Sequence, residues 1–172
     1  VEGMWPVNTY LYPDVELATL SKALDQLYFD AWTNMKENMH PYDQVKSLNN
    51  SLFREKKFSA NTKNFHSPSN SMMHLALETR RGNPLTLCVI YMTIAQRLGM
   101  PVYGVNLPNL FILTYKLGEV QFYINVYNKG LMLSKADIDN YIVQLNLNPV
   151  DIFYEPCSNI EIVKRALRNL AF

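Results

Sequence analysis

Among the two cysteines and three histidines of this 172-residue chain, Cys88 and His74 are the pair that could serve nucleophilic catalysis. A thiol and an imidazole base form the pairing that activates cysteine for attack on an acyl group. The setting of Cys88 opposes that use, because it stands in the second turn of an apolar helix, where desolvation raises a thiol pKa and keeps the sulfur protonated. A core cysteine is the plainer reading, and a histidine on a mixed helix face is as a rule structural. Metal chemistry lacks donors: His40, His66 and His74 are isolated and no His or Cys pair stands two to four residues apart, so neither a metal site nor a cofactor is expected. No glycine-rich phosphate loop of either common type is present. Arg80 and Arg81 can contact an anion, but two arginines at a helix end also complement its dipole. Tyr103, Tyr115, Tyr123 and Tyr127 fall on neighbouring strands and line either an aromatic pocket or plain sheet surface.

The elements that would position these residues centre on Gly82 to Val105, the most apolar stretch of the chain. Asn83 serves as N-cap and Pro84 suits the first helical position, where its missing N–H has no intrahelical partner in any case. From Leu85 to Leu98 apolar residues surround the axis, which predicts a helix covered on most sides. Gly99 is suited to a left-handed residue just past the helix, Pro101 forbids continuation, and Val102, Tyr103 and Val105 have strand character.

Ahead of this helix, Asp14 caps an amphipathic helix with Leu17, Leu20, Leu24, Leu27, Ala31 and Met35 on one face. After a break at His40 and Pro41, a second helix carries Val45, Leu48, Leu52 and Phe53. Its other face, with Lys46, Asn49, Asn50 and Arg54, reads as solvated. Arg54 to Asn70 reads as a loop anchored by Phe58 and Phe65, and a third helix capped by Ser69 or Asn70 ends at Gly82. Beyond the central helix, Leu110 to Lys116 and Val120 to Tyr127 form a hairpin, and alternation turns Asn125 away from the aliphatic face of the second strand. Asn128 to Gly130 is a turn. Ser134 with Asp137, and Ser158 with Glu161, then cap two closing helices.

Composition sets the outer bounds. With 48% hydrophobic and 18% charged residues the chain is ordinary for one globular domain. Residues 1–69 form a helical part, 70–130 the helix-and-sheet core and 131–172 the closing helices. A net charge of +1 offers no global field to attract nucleic acid or an acidic membrane, and no apolar run is long enough for a bilayer span. Two cysteines without disulfide spacing indicate reduced thiols and a cytoplasmic protein. Because the chain stops directly after an apparent helix, it is expected to be part of a longer polypeptide.

The stretch NSMMHLALETRRGNPLTLCVIYMTIAQRLGMPVYGVNLPNLFILTY, with FYINVYNKGLMLSKADI after it, resembles the SirB-type branch of the transglutaminase-like superfamily. The likeness extends to VKSLNNSLFREKKFSANTKNF upstream and EIVKRALRNL downstream, covering about Val45 to Leu170 in order. Asn70-Ser71, Gly82-Asn83-Pro84 and Leu98-Gly99-Met100-Pro101 keep three of the family's motifs. The resemblance implies an α+β, papain-like fold in which a central buried helix packs on a small antiparallel sheet, with additional N- and C-terminal helices. In active relatives a cysteine at the start of the central helix attacks an acyl group, helped by a histidine and an Asp or Asn on adjacent strands. Here the cysteine position falls at Pro84, the histidine position at Leu110 and the third position at Asn125. Proline has no nucleophile and leucine transfers no proton. Cys88 lies on the same helix face as Pro84 but about 6 Å deeper, away from the helix N-terminus that would lower its pKa.

The resemblance thus implies a non-catalytic module that binds or scaffolds protein or peptide, with the former cleft, lined by Asn83, Thr86, Asn109, Leu110, Asn125 and Tyr127, as its site. It also implies TPR-like repeats after Phe172. The competing reading is a cysteine-dependent amidase, acyltransferase or peptidase-like enzyme using Cys88 with His74.

Overall fold

The computed structural model describes residues 17–61 and 73–170. Helix α1, Leu17–Trp32, buries the expected stripe Leu20, Leu24, Leu27 and Ala31. It ends before Met35 because the Thr33 hydroxyl bonds the Asp30 carbonyl at 2.8 Å and the chain turns away. Helix α2, Pro41–Asn49, is capped by His40, whose Nδ1 accepts from the Tyr42 N–H at 3.2 Å. It runs without a break into a π-helical turn, Asn50–Glu55. That turn takes up the start of the anticipated loop, which further contains buried Phe58 and strand β1, Ser59–Ala60. Asp14, Phe65, and the expected caps Ser69 and Asn70 lie outside the described residues.

Helix α3, Met73–Thr79, does not run to Gly82. Arg80 ends it with a left-handed φ of 63°, its N–H still reaching the Ala76 carbonyl at 2.9 Å. Arg81–Gly82 become strand β2, parallel to β1, because Ser59 and Asn61 donate to the Arg80 and Gly82 carbonyls at 3.0 Å each. Helix α4, Pro84–Arg97, begins as its cap predicts: Asn83 Oδ1 accepts from the Thr86 N–H at 2.8 Å, a bond of the kind that contributes about 1 kcal/mol. Gly99, at φ 81°, completes its C-terminal end.

Strands β3 (Val102–Leu107), β4 (Leu110–Leu117), β5 (Val120–Asn125) and β6 (Leu131–Leu133) form one antiparallel sheet in sequential order. The registers pair Leu107 with Leu110, Leu113 with Ile124 and Asn125 with Leu131. Strand β5 stops short of Tyr127: Val126–Asn128 make a 3-10 turn and the Gly130 N–H returns to the Asn125 carbonyl at 2.9 Å, which starts β6. Helix α5, Lys135–Gln144, has the full capping box of Ser134 and Asp137. A 3-10 turn at Asp151–Phe153 precedes the last helix, α6, Asn159–Leu170, where the Glu161 N–H donates to Ser158 Oγ at 3.3 Å.

The sheet is covered on both faces, which is why β4 is buried almost throughout instead of alternating with solvent. Val102, Phe111, Leu113, Tyr115, Phe122 and Ile124 meet α4 and, behind it, α1 to α3. Val105, Leu107, Ile112 and Tyr123 pack instead with Ile138 and Ile142 of α5 and with Tyr154. The result is the α+β arrangement expected, a buried central helix on a small antiparallel sheet with flanking helices. Among the described residues no helix is long and apolar enough to cross a membrane.

Candidate functional site

The first turns of α4, the β3–β4 hairpin and the end of β5 come together at one end of the helix–sheet stack. Cys88 Sγ contacts the Phe111 carbonyl at 3.5 Å, and the 3-10 turn after Asn125 packs on α4. The backbone therefore gathers positions 84, 110 and 125 at the same end of the fold. Their side chains do less. Pro84 occupies the first turn of α4, half-buried and without a polar atom. Leu110 belongs to the apolar group beneath α5, on the sheet face opposite α4, because its hairpin partner Leu107 faces that way too. Register places Asn125 on the same face, next to Ile112. Its Oδ1 is buried and has no hydrogen-bond partner.

The remaining cleft residues divide by exposure. Asn83 is buried with its oxygen engaged in the cap, and Thr86 is wholly buried with Oγ1 unpartnered. Asn109 sits in the hairpin turn at φ 62°, a left-handed conformation that asparagine tolerates better than most residues, and Tyr127 keeps 39% of its surface exposed.

Cys88 is fully enclosed. Burial pushes its thiol far above the ordinary range, Arg165 opposing and Cys157 adding to the shift, which favours the protonated form. Burial lowers the His74 pKa, partly offset by the nearby charge of Glu78. Arg165 and Cys157 act on Cys88, while Glu78 acts on His74. Cys88 and Cys157 are both free thiols. Among the described residues no three His, Cys, Asp or Glu side chains cluster as a metal site would require.

One residue at this end went unnoticed in the sequence. Arg165 of α6 donates to the Leu107 carbonyl at 2.9 Å and to Asn106 Oδ1, and its guanidinium lies 5.7 Å from the centre of the Phe111 ring. It latches the closing helix to the hairpin beside Cys88. The only available signal was a basic residue on an amphipathic helix, which is ordinarily solvent-facing. Gly104 is the other part of the latch: a Cβ there would stand 2.5 Å from the Phe111 ring and 3.2 Å from Cys157 Sγ.

The sequence profile of the transglutaminase-like superfamily matches residues 18–168. The chain belongs to that superfamily. Among relatives of this transglutaminase-like domain, a UPF0162 protein of Xylella fastidiosa is 29% identical over 128 residues, which are 74% of this chain and 45% of the relative. A UPF0162 protein of Vibrio cholerae is 23% identical over 144 residues, 83% of this chain and 53% of the relative. Human F-box only protein 21 is 30% identical over 106 residues, 57% of this chain but 17% of that protein. The chain therefore spans about half or less of the length of the relatives it matches. No solved structure matches it. The match runs from α1 through α6 and so includes every element at this end of the fold.

Proposed function

We propose that this transglutaminase-like domain is a non-catalytic binding module for protein or peptide, with the end of the α4–sheet stack as its contact site. The observation that carries this reading is the enclosure of Cys88, the thiol that would have to act: it is fully buried, one turn inside a helix whose first residue is Pro84. Transfer of an acyl group needs a thiolate that substrate can reach and a base that takes its proton. Here burial holds the thiol protonated, and the position expected for the base is Leu110, packed under α5. Polar binding groups persist at this end. Asn109 and Tyr127 lie toward solvent, and Asn125 Oδ1 is an acceptor without a partner.

The test pairs thiol labelling with binding. In the folded protein iodoacetamide is expected to modify half-buried Cys157 first and Cys88 only at the rate of unfolding. Peptides selected from a random library should lose affinity on Tyr127→Ala or Asn125→Leu and keep it on Cys88→Ser. Rapid, pH-dependent alkylation of Cys88 in the native state would overturn the reading and favour a cysteine-dependent amidase or acyltransferase.

A further inference from the structure

The polar face of α2 and its π-helical extension does not simply face water. The turn between β5 and β6 sets Lys129 against it, and Lys46, Asn49, Asn50, Phe53, Arg54 and Lys129 together line a wide, solvent-open cavity of about 400 Å³. Three of these six residues are cations and none is a carboxylate. The ion pairs involve other cations, so Lys46, Arg54 and Lys129 have no salt-bridge partner among the described residues. In a chain of net charge +1 this concentration of unpaired positive charge is local. Glu55 is the nearby carboxylate on the same turn, and it accepts from Asn50 Nδ2 at 3.1 Å.

The cavity is also expensive to build, and its cost is met by specific contacts from the core. Lys129 adopts φ 53°, a left-handed conformation that costs a non-glycine residue about 1 kcal/mol. The π-helical turn at Asn50–Glu55 departs from ordinary α-helical hydrogen bonding, and such turns occur frequently at functional sites. Asn49 holds the two parts together: its Nδ2 donates to the Gly130 carbonyl at 2.8 Å, and its Oδ1 accepts from the hydroxyl of buried Tyr91 at 2.7 Å. Phe53 is stacked on the Tyr91 ring at 5.9 Å, which presents one apolar wall. Strained backbone and unpaired charge thus share one place, and Tyr91 of the central helix holds Asn49 and Phe53 between them.

We propose that this cavity binds a phosphorylated small molecule, with the phosphate held by Lys46, Arg54 and Lys129 and the apolar remainder against Phe53. A phosphate monoester carries close to two negative charges and three strong acceptor oxygens, which suits three cationic donors better than a single carboxylate does. The arginine supplies a planar fork of donors, the lysines mobile point charges. The proposal is independent of the cleft at the start of α4 and stands or falls separately.

The experiment is calorimetric titration of the 172-residue chain at low salt with phenyl phosphate, inorganic phosphate and a hexaglutamate peptide. Saturable binding is expected for both phosphates, tighter for phenyl phosphate. Arg54→Gln, Lys129→Gln and Lys46→Gln should each weaken it about tenfold, as loss of a charge-assisted hydrogen bond does. Phe53→Leu should remove the preference for phenyl phosphate while leaving inorganic phosphate unaffected, and Lys22→Gln, on α1, should change nothing. All three cations are exposed, so these glutamine variants are expected to fold. Absence of saturable phosphate binding, an equal loss in Lys22→Gln, or tighter binding of hexaglutamate than of phenyl phosphate would each overturn the proposal.

Discussion

The N-terminal end of α4 and the Lys129 cavity are built around opposite treatments of polarity. At the first, polar groups have been taken into the core and either satisfied locally, as Asn83 Oδ1 is, or left without partners, as Thr86 Oγ1 and Asn125 Oδ1 are. At the second, Ser51 Oγ of the π-helical turn is likewise buried without a partner, but Asn49 is fully engaged, spanning Gly130 and Tyr91, and three charges stay at the surface. The positions that the resemblance assigns to the superfamily's reaction lie at the first place, yet the exposed cations that would meet a charged ligand stand at the second. Packing of α4 against the sheet serves folding whether or not position 84 carries a thiol, so the backbone arrangement does not depend on catalysis.

Each region depends on a glycine, and alanine at each separates them most strongly. Gly130 has φ 77°, and a Cβ would fall 2.0 Å from Asn49 Oδ1. Asn49 can move aside only by giving up its bonds to Gly130 and Tyr91, so left-handed strain, overpacking and lost hydrogen bonds combine. Gly130→Ala should cost about 3 kcal/mol in urea unfolding and weaken phosphate binding. Gly104 has no such φ; its Cβ would press on the ring of Phe111, itself held in the core. Gly104→Ala should cost about 2 kcal/mol by overpacking alone and leave phosphate binding intact. Equal losses of phosphate affinity in the two variants would mean that the regions are not separable.

A smaller change of opposite sign addresses the closed end. Thr86 is fully buried and its Oγ1 has no partner, so Thr86→Val keeps the shape while removing an uncompensated hydroxyl. The N–H bond from Thr86 to Asn83 is backbone and survives. A gain of about 1 kcal/mol is expected. A loss of similar size would show that the hydroxyl is hydrogen-bonded in solution, and that the end of α4 admits water or a ligand where this structure has a sealed core.

What was legible in the sequence was whatever local chemistry decides. Asn83-Pro84 starts α4 and Gly99 completes its end because cap and left-handed residue act within one turn of the chain, and Ser134 with Asp137 starts α5 for the same reason. Sheet alternation correctly turned Asn125 away from the aliphatic face of β5. The misreadings came where distant segments override local preference. Arg80, not Gly82, ends α3 because β1 captures the carbonyls that follow. Strand β6 is three residues formed by a turn closing on Asn125. Asn49 looked like a solvated helix residue, yet its partners lie 42 and 81 positions away, so no local pattern could announce the cavity it organises. Arg165 escaped for the same reason, since the hairpin it latches is 58 residues upstream.

The smallest effect bears on whether any base serves the buried thiol, and its sign decides the matter. Burial lowers the pKa of His74 below its ordinary value of 6.5. The unfolded chain then binds the proton more readily than the folded one. Stability due to this group is complete above pH 6.5 and declines as pH falls toward the folded pKa. Were His74 paired with a Cys88 thiolate, the imidazolium would be favoured, its pKa raised, and stability would be retained on acidification and lost on raising the pH. Urea unfolding of the parent protein and of His74→Gln, each at pH 7.5 and 5.5, separates the two cases. The substitution should reduce the loss of stability between those pH values. If it instead enlarges that loss, His74 gains from its proton in the folded state. The same experiment on Glu78→Gln then tells whether that carboxylate is the cause, and persistence of the effect there would overturn the reading of α4 as a helix with an enclosed, unserved thiol.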